Sequence, residues 1–156
     1  MKVAVVSDSH DNVEKSRKFV ELVNGMDVGL VVHCGDIISP FTMEVFKKVE
    51  APLTVVFGNN DGEVAGLLKS FSEIKKPPLF VEIDGKKAVV MHEPVLLDVI
   101  PGSVDFLFFG HTHEVFVDKI KGTVVVNPGE LCGYLSNHST FAILDTATGE
   151  VTVEEI

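Results

Sequence analysis

The feature that most constrains this chain is a recurrence. Short apolar runs end abruptly in Gly, Asp, Asn or His. Lys2–Val6 runs into Ser7-Asp8-Ser9-His10, and Leu30–His33 is followed, after Cys34, by Gly35-Asp36. Leu53–Phe57 ends in Gly58-Asn59-Asn60-Asp61, Lys87–Met91 in His92, and Phe106–Phe109 in Gly110-His111-Thr112-His113. Unbroken apolar runs of this length, bounded by turn residues, read as strands buried on both faces.

Helical patterns separate the first three runs. Asn12 to Asn24 places Val13, Phe19, Val20, Leu22 and Val23 among charged residues, with Asp11 or Asn12 to cap it and Gly25 to end it. Pro40 opens a short helix to about Lys48, and Gly62 to Ser72 reads as a third. The second half is mostly β. Asp84-Gly85 joins Leu79–Ile83 to Lys87–Met91 as a two-residue hairpin, and Lys121-Gly122 joins Val115–Ile120 to Thr123–Val126. Phe141–Asp145 and Val151–Val153 close the chain. Strand–helix units followed by hairpins predict an α/β sandwich of two sheets, although periodicity does not give the strand order. With no linker, repeat or low-complexity stretch, residues 1–156 are expected to form a single domain.

In open α/β sheets, ligands sit beyond the carboxyl ends of the strands. Five runs therefore deliver Asp8, His10, Asp36, Asn59, His92, His111 and His113 toward one edge, with four of the six histidines among them. Imidazole mixed with carboxylate and amide oxygen, without thiolate, suits divalent transition metals such as Mn, Fe, Zn or Ni. Asp-x-His and His-x-His each put two donors on one side of an extended chain. Seven donors exceed what one ion with an open position needs. Two ions about 3.5–4 Å apart require a bridging carboxylate. Asp36 is the candidate, because Asp8 is already tied to His10.

These motifs, in this order and spacing, resemble the calcineurin-like metallophosphoesterase family. The short length, His33-Cys34-Gly35-Asp36 and Asn127-Pro128-Gly129-Glu130 look like its small phosphodiesterase branch. The resemblance implies a four-layer αββα sandwich with two mixed β-sheets and the metal site at the carboxyl ends of the strands. It implies two divalent ions (Mn, Ni, Co, Fe or Zn). One would be held by Asp8, His10, His113 and bridging Asp36, the other by Asp36, Asn59, His92 and His111. A hydroxide between them would attack phosphorus in line, so the implied activity is that of a metal-dependent phosphodiesterase.

Two positions depart from the family pattern. Asn60 stands where many members carry a histidine thought to protonate the leaving group. Asparagine can donate a hydrogen bond but does not titrate near pH 7, which tilts the expectation toward diesters. Glu93-Pro94 follows His92 where relatives often carry Gly-His, and a carboxylate there would repel a highly charged substrate. The family also supplies two rivals: a protein-binding scaffold that has lost catalysis, and a nuclease.

Charge bears on that choice. The 13 basic and 23 acidic side chains leave a net −10, which repels polyanions at long range. Two divalent ions against Asp8 and Asp36 would still make the site locally cationic. The expected substrate is thus a small phosphodiester or phosphoester, long nucleic acid is disfavoured, and oligomerisation is left open. No apolar run approaches the ~20 residues of a membrane span, and the N-terminal run is too short for a signal-peptide core. A cytoplasmic protein without a membrane partner is expected. Cys34 and Cys132 read as small packed thiols, and His33 as a structural or supporting residue. His138 reads as a solvated loop residue, and Asn127-Pro128-Gly129 as a tight turn. Asp11 and Asp61 either cap helices or orient ligands.

Overall fold

The computed structural model describes residues 1–156. Strands and helices alternate at first: β1 (Lys2–Val6), α1 (Val13–Asn24), β2 (Leu30–His33), α2 (Pro40–Phe46), β3 (Leu53–Val55) and α3 (Val64–Ser70). Seven strands follow: β4 (Leu79–Ile83), β5 (Lys86–Val90), β6 (Phe106–Phe108), β7 (Val115–Ile120), β8 (Thr123–Pro128), β9 (Thr140–Asp145) and β10 (Val151–Glu155). They form two mixed five-stranded sheets, ordered β10-β9-β1-β2-β3 and β4-β5-β6-β8-β7.

In the first sheet β1, β2 and β3 are parallel, and β9 and β10 return antiparallel. In the second β5, β6 and β8 are parallel between antiparallel edges β4 and β7. Register aligns Val6, His33 and Val55 in one row, and Val90, Phe108 and Val126 in another. The segments leaving these rows therefore emerge together at the carboxyl edge of each sheet.

Three apolar layers hold the sheets. Val3, Val5 and Val32 of the first sheet meet Val90, Phe106, Phe108 and Val126 of the second. The opposite face of the first sheet, with Ala4, Val6 and Val31, packs on Phe19, Val23, Met43 and Phe46 of the helices. This alternation on β1 needs both neighbours apolar, which is why its run is unbroken. Phe19 lies against Phe46 and Phe141, with ring centroids 5.9 and 5.2 Å away. Each such fully buried ring contributes about 1.5–3 kcal/mol of burial. The outer face of the second sheet, with Val89, Met91, Leu107 and Phe109, is covered by Leu96, Leu97 and Ile100. Four layers result, but the outermost consists of hydrogen-bonded turns rather than a regular helix, closed by Leu97 N–H to Pro94 C=O and Ile100 N–H to Leu96 C=O.

Helix boundaries follow local chemistry. Asn12 caps α1, its side chain accepting from Lys15 N–H at 3.2 Å. Asp11 serves α2 instead, accepting from the Ser39 N–H and hydroxyl and from the Thr42 hydroxyl. Both short hairpins turn through left-handed pairs, Asp84-Gly85 and Lys121-Gly122, as a two-residue turn of the primed type requires. No helix is long and apolar enough to cross a membrane.

Candidate metal centre

Five strand ends build the site. Asp8 and His10 follow β1, Asp36 follows β2, Asn59 and Asn60 follow β3, His92 follows β5, and His111 and His113 follow β6. Asp8, His10, Asp36, His111 and His113 all have positive φ, between 39° and 68°. Left-handed backbone is uncommon outside glycine and clusters where a site demands it. Here each of these residues lies in the turn that leaves its strand. Backbone bonds hold the turns in place: Asp8 N–H to Gly35 C=O and His10 N–H to Asp36 C=O, each 3.0 Å, and Cys132 N–H to Asp8 C=O, 3.1 Å.

The glycines of the motifs leave room for this. A β-carbon at Gly58 would strike the Asp36 carboxylate, and one at Gly110 would strike the Ser7 hydroxyl and the Asp8 carboxylate. Asp61 ties two of the turns together: its buried carboxylate accepts from the N–H groups of Asp36 (3.0 Å), Gly58 (2.7 Å) and Ile38 (2.7 Å). Burial leads the net upward shift of the Asp61 carboxyl.

The seven side chains singled out in the sequence converge. Asp8 Oδ1 lies 3.6 Å from His10 Nε2 and 3.4 Å from His113 Nε2. Asp36 Oδ2 lies 3.3 Å from His10 Nε2 and 3.3 Å from His92 Nε2. Asn59 Oδ1 is 2.9 Å from both His92 Nε2 and His111 Nδ1. Within the groups Asp8–His10–His113 and Asp8–Asp36–His92, one donor atom from each residue lies within 4.8 Å of the others.

The proton inventory shows what these atoms face. His92 Nδ1 is 2.9 Å from the Cys34 carbonyl, which can only accept, so Nδ1 carries the proton. His113 Nδ1 is 2.6 Å from Glu130 Oε2. Glu130 is fully buried, and its pKa falls to about 2: burial opposes this, but Cys132, His113 and Ser136 outweigh it as donors. It is therefore ionised, and His113 Nδ1 is the donor. In their neutral forms both rings turn an Nε2 lone pair toward aspartate oxygens, a contact that needs a cation or an added proton between the atoms. Asp8 Oδ1 and His10 Nε2 have no hydrogen-bond partner at all, although both atoms are buried. Burial alone would raise both aspartates, but His10 and Ser7 beside Asp8, and His92 and Asn60 beside Asp36, outweigh it, and both carboxyls are held low. His10 is correspondingly raised, chiefly by Asp8. Carboxylate and imidazole converging on unsatisfied atoms fit divalent transition metals.

Asn60 sits beside this cluster rather than among the donors. Its N–H donates to Asp36 Oδ1 at 2.8 Å, and its side-chain amide to Asp36 Oδ2 at 2.7 Å. It therefore fixes the orientation of Asp36 in addition to facing solvent. His33 is fully buried, accepts from Gly35 N–H at 3.1 Å, and lies edge-on to Phe46 at 4.6 Å. Desolvation drives its pKa down to about 3, so it stays neutral. His138 is exposed and paired with Glu155 at 2.7 Å.

Sequence reasoning missed Glu130. It accepts from His113 Nδ1, the Cys132 thiol, the N–H groups of Leu135 and Ser136, and the Ser136 hydroxyl. His113, Glu130 and Cys132 also group as potential donors. However, the Cys132 thiol is pushed up to about 12 by burial and by Glu130, and the carboxylate is saturated by donors. The trio supports His113 rather than forming a cation site. An acidic residue in the Asn-Pro-Gly turn was the available signal. Asn127 completes the support: its side-chain amide donates to Gly110 C=O at 3.0 Å and to the Thr112 hydroxyl at 2.9 Å, steadying the turn that presents His111 and His113.

Comparison with known proteins adds independent findings. A family model described as the calcineurin-like phosphoesterase superfamily domain matches residues 1–149. The chain is 36% identical to Phosphodiesterase MJ0936 of Methanocaldococcus jannaschii, over 96% of each protein. It is 26% identical to the probable metallophosphoesterase YsnB of Bacillus subtilis, over 98% of this chain and 89% of that one. A solved structure described as a novel archaeal phosphodiesterase superposes with a TM-score of 0.92 at 35% identity, covering 100% of both chains. Vps29 from Entamoeba histolytica, solved in complex with zinc, shares the fold, with a TM-score of 0.73 at 20% identity over 100% of this chain and 98% of that one.

Proposed function

The chain belongs to the calcineurin-like phosphoesterase superfamily, and from this premise we propose that it hydrolyses small phosphodiesters at a centre of two divalent ions. The observation that carries the reading is the convergence of Asp8 Oδ1 and Asp36 Oδ2 on the Nε2 atoms of His10, His92 and His113 at 3.3–3.6 Å, with Asp8 Oδ1 and His10 Nε2 buried and without a hydrogen-bond partner. Asp8, His10, His113 and Asp36 would hold one ion, and Asp36, Asn59, His92 and His111 the other, with Asp36 shared. Bound there, the ions would supply Lewis acidity toward the phosphoryl oxygens and lower the pKa of water at the site.

The chain's own residues do the rest. Cys34 C=O and Glu130 fix the ring orientation and tautomer of His92 and His113. Asn60 steadies Asp36 through two hydrogen bonds. In hydrolysis, water oxygen joins phosphorus, one ester oxygen leaves, and that oxygen takes up a proton. Asn60 has no proton to give at neutral pH, so the leaving oxygen draws on solvent. This favours diesters and good leaving groups over alkyl monoesters.

Two rivals are distinct in class: a scaffold of the same fold without catalysis, and a nuclease. The complete donor set supports an enzyme, and the net charge of −10 opposes polyanions. The test is a matrix on metal-stripped protein. Mn²⁺, Ni²⁺, Co²⁺ or Zn²⁺ is added, and bis(p-nitrophenyl) phosphate, p-nitrophenyl phosphate and an oligonucleotide are assayed. Metal-dependent turnover greatest on the diester is expected, and Asn60→His should raise turnover of an alkyl monoester, such as glycerol 2-phosphate, relative to the diester. No turnover with any ion overturns the reading in favour of the scaffold, and preference for the oligonucleotide favours the nuclease.

A further inference from the structure

A cavity of about 420 Å³ opens directly beside the proposed metal centre, with Asn59 and His92 in its wall. That volume lies within the roughly 300–1,000 Å³ of small-molecule sites. A phosphoester held at Asn59 and His92 would have one ester arm at the mouth of this cavity.

Its remaining walls state what that arm is. Phe57, Val64, Pro77, Pro78, Met91 and Val95 supply the apolar surface, and they come from separate parts of the chain that converge on the cavity. Val64 and Val95 are 44% and 63% exposed, so two aliphatic groups at the lip stand in water, where an apolar ligand would cover them. Phenylalanine and proline offer flat faces to a ring. The charges do not favour an ionic arm: Lys76 and Glu93 oppose each other in sign, and the Asp61 carboxylate is engaged by three backbone N–H groups. With Lys76 against Glu93 and Asp61 the wall carries a net −1, which opposes a second phosphate, while the Asp61 share of it is spent on backbone N–H groups rather than offered to a cation. Lys76 and Glu93 do offer a donor and an acceptor to the polar edge of a ring.

We infer that this cavity is the subsite for an uncharged planar ring, such as a nucleobase, carried on one ester arm of the substrate. The inference rests on a phosphoester being held at the adjacent centre, but it is tested by binding rather than turnover. Isothermal titration of the Mn²⁺-loaded protein with thymidine 5′-monophosphate and with 2-deoxyribose 5-phosphate compares the same sugar phosphate with and without the planar base. The base-bearing ester should bind about tenfold more tightly. Val64→Trp, which fills the cavity from its lip, and Phe57→Ala, which removes a flat wall, should each reduce that ratio several-fold. Equal affinity for the two esters, or a ratio unchanged in both variants, overturns the subsite. Ring-selective binding in a protein that hydrolyses no diester would instead retain the subsite and discard the phosphodiesterase reading.

Discussion

Glu130 has no exposed surface and collects five donors, among them the imidazole of His113. Its charge keeps the proton of His113 on Nδ1 and the lone pair on Nε2. Glu130→Gln keeps the size and loses the charge, and should weaken Mn²⁺ binding by about 10–100-fold, the range for such supporting residues; calorimetric titration checks this against wild type. His33 gives a second prediction at this scale. Its folded pKa of about 3 lies below the ordinary 6.5 because the ring is buried. The unfolded chain therefore takes up a proton that the folded chain refuses. Stability from the neutral ring is complete above about pH 6.5 and declines as pH falls toward 3. Metal-free protein should lose about 2 kcal/mol from this group between pH 7 and pH 5. His10 and His92, raised in the folded state, act in the opposite direction as pH falls, so the loss is read as the difference between wild type and His33→Gln in urea titrations at the two pH values. Of the residues discussed, Asp8, His10, Asp36, Asn59, His92, His111 and His113 stood out in the sequence because each lies within four residues of the end of an apolar run. Glu130 did not, because its partner His113 is brought to it by the pairing of β6 with β8, a non-local contact that no local pattern announces.

Among the elements, the strands and hairpins were readable because bare apolar runs and Asp-Gly or Lys-Gly turns leave few alternatives. Strand order was not, since β9 inserts beside β1 and β8 lies between β6 and β7, and pairing between distant segments has no period. Helix α3 is shorter than its pattern, Val64–Ser70 against Gly62–Ser72, and β3 ends at Val55, beyond which Val56 forms an isolated bridge with Lys75. The outer cover of the second sheet was invisible: Pro94, Pro101 and Gly102 punctuate the segment, so its apolar residues pack from turns. The turns after the strands carry a prediction of their own. Gly110→Ala places a β-carbon against Ser7 and Asp8. The fold should lose about 1–3 kcal/mol, the usual cost of overpacking, and metal content should drop with it. Thermal unfolding with elemental analysis of the same sample checks both, and an unchanged metal content would show that the close approach does not set the site.

At the scale of the molecule, two sheets with aligned carboxyl edges turn five separate strand ends into one cluster. We propose that this cluster holds two divalent ions through a shared Asp36, giving an acidic protein a local cationic site suited to a single phosphate. The most direct test is metal stoichiometry by equilibrium dialysis and elemental analysis, with diester turnover read on the same samples. Wild type should retain about two ions per chain, while Asp36→Ala should retain at most about one and hydrolyse no diester. A wild-type protein that hydrolyses the diester after complete chelation, or an Asp36→Ala variant with wild-type metal content and turnover, would contradict the claim.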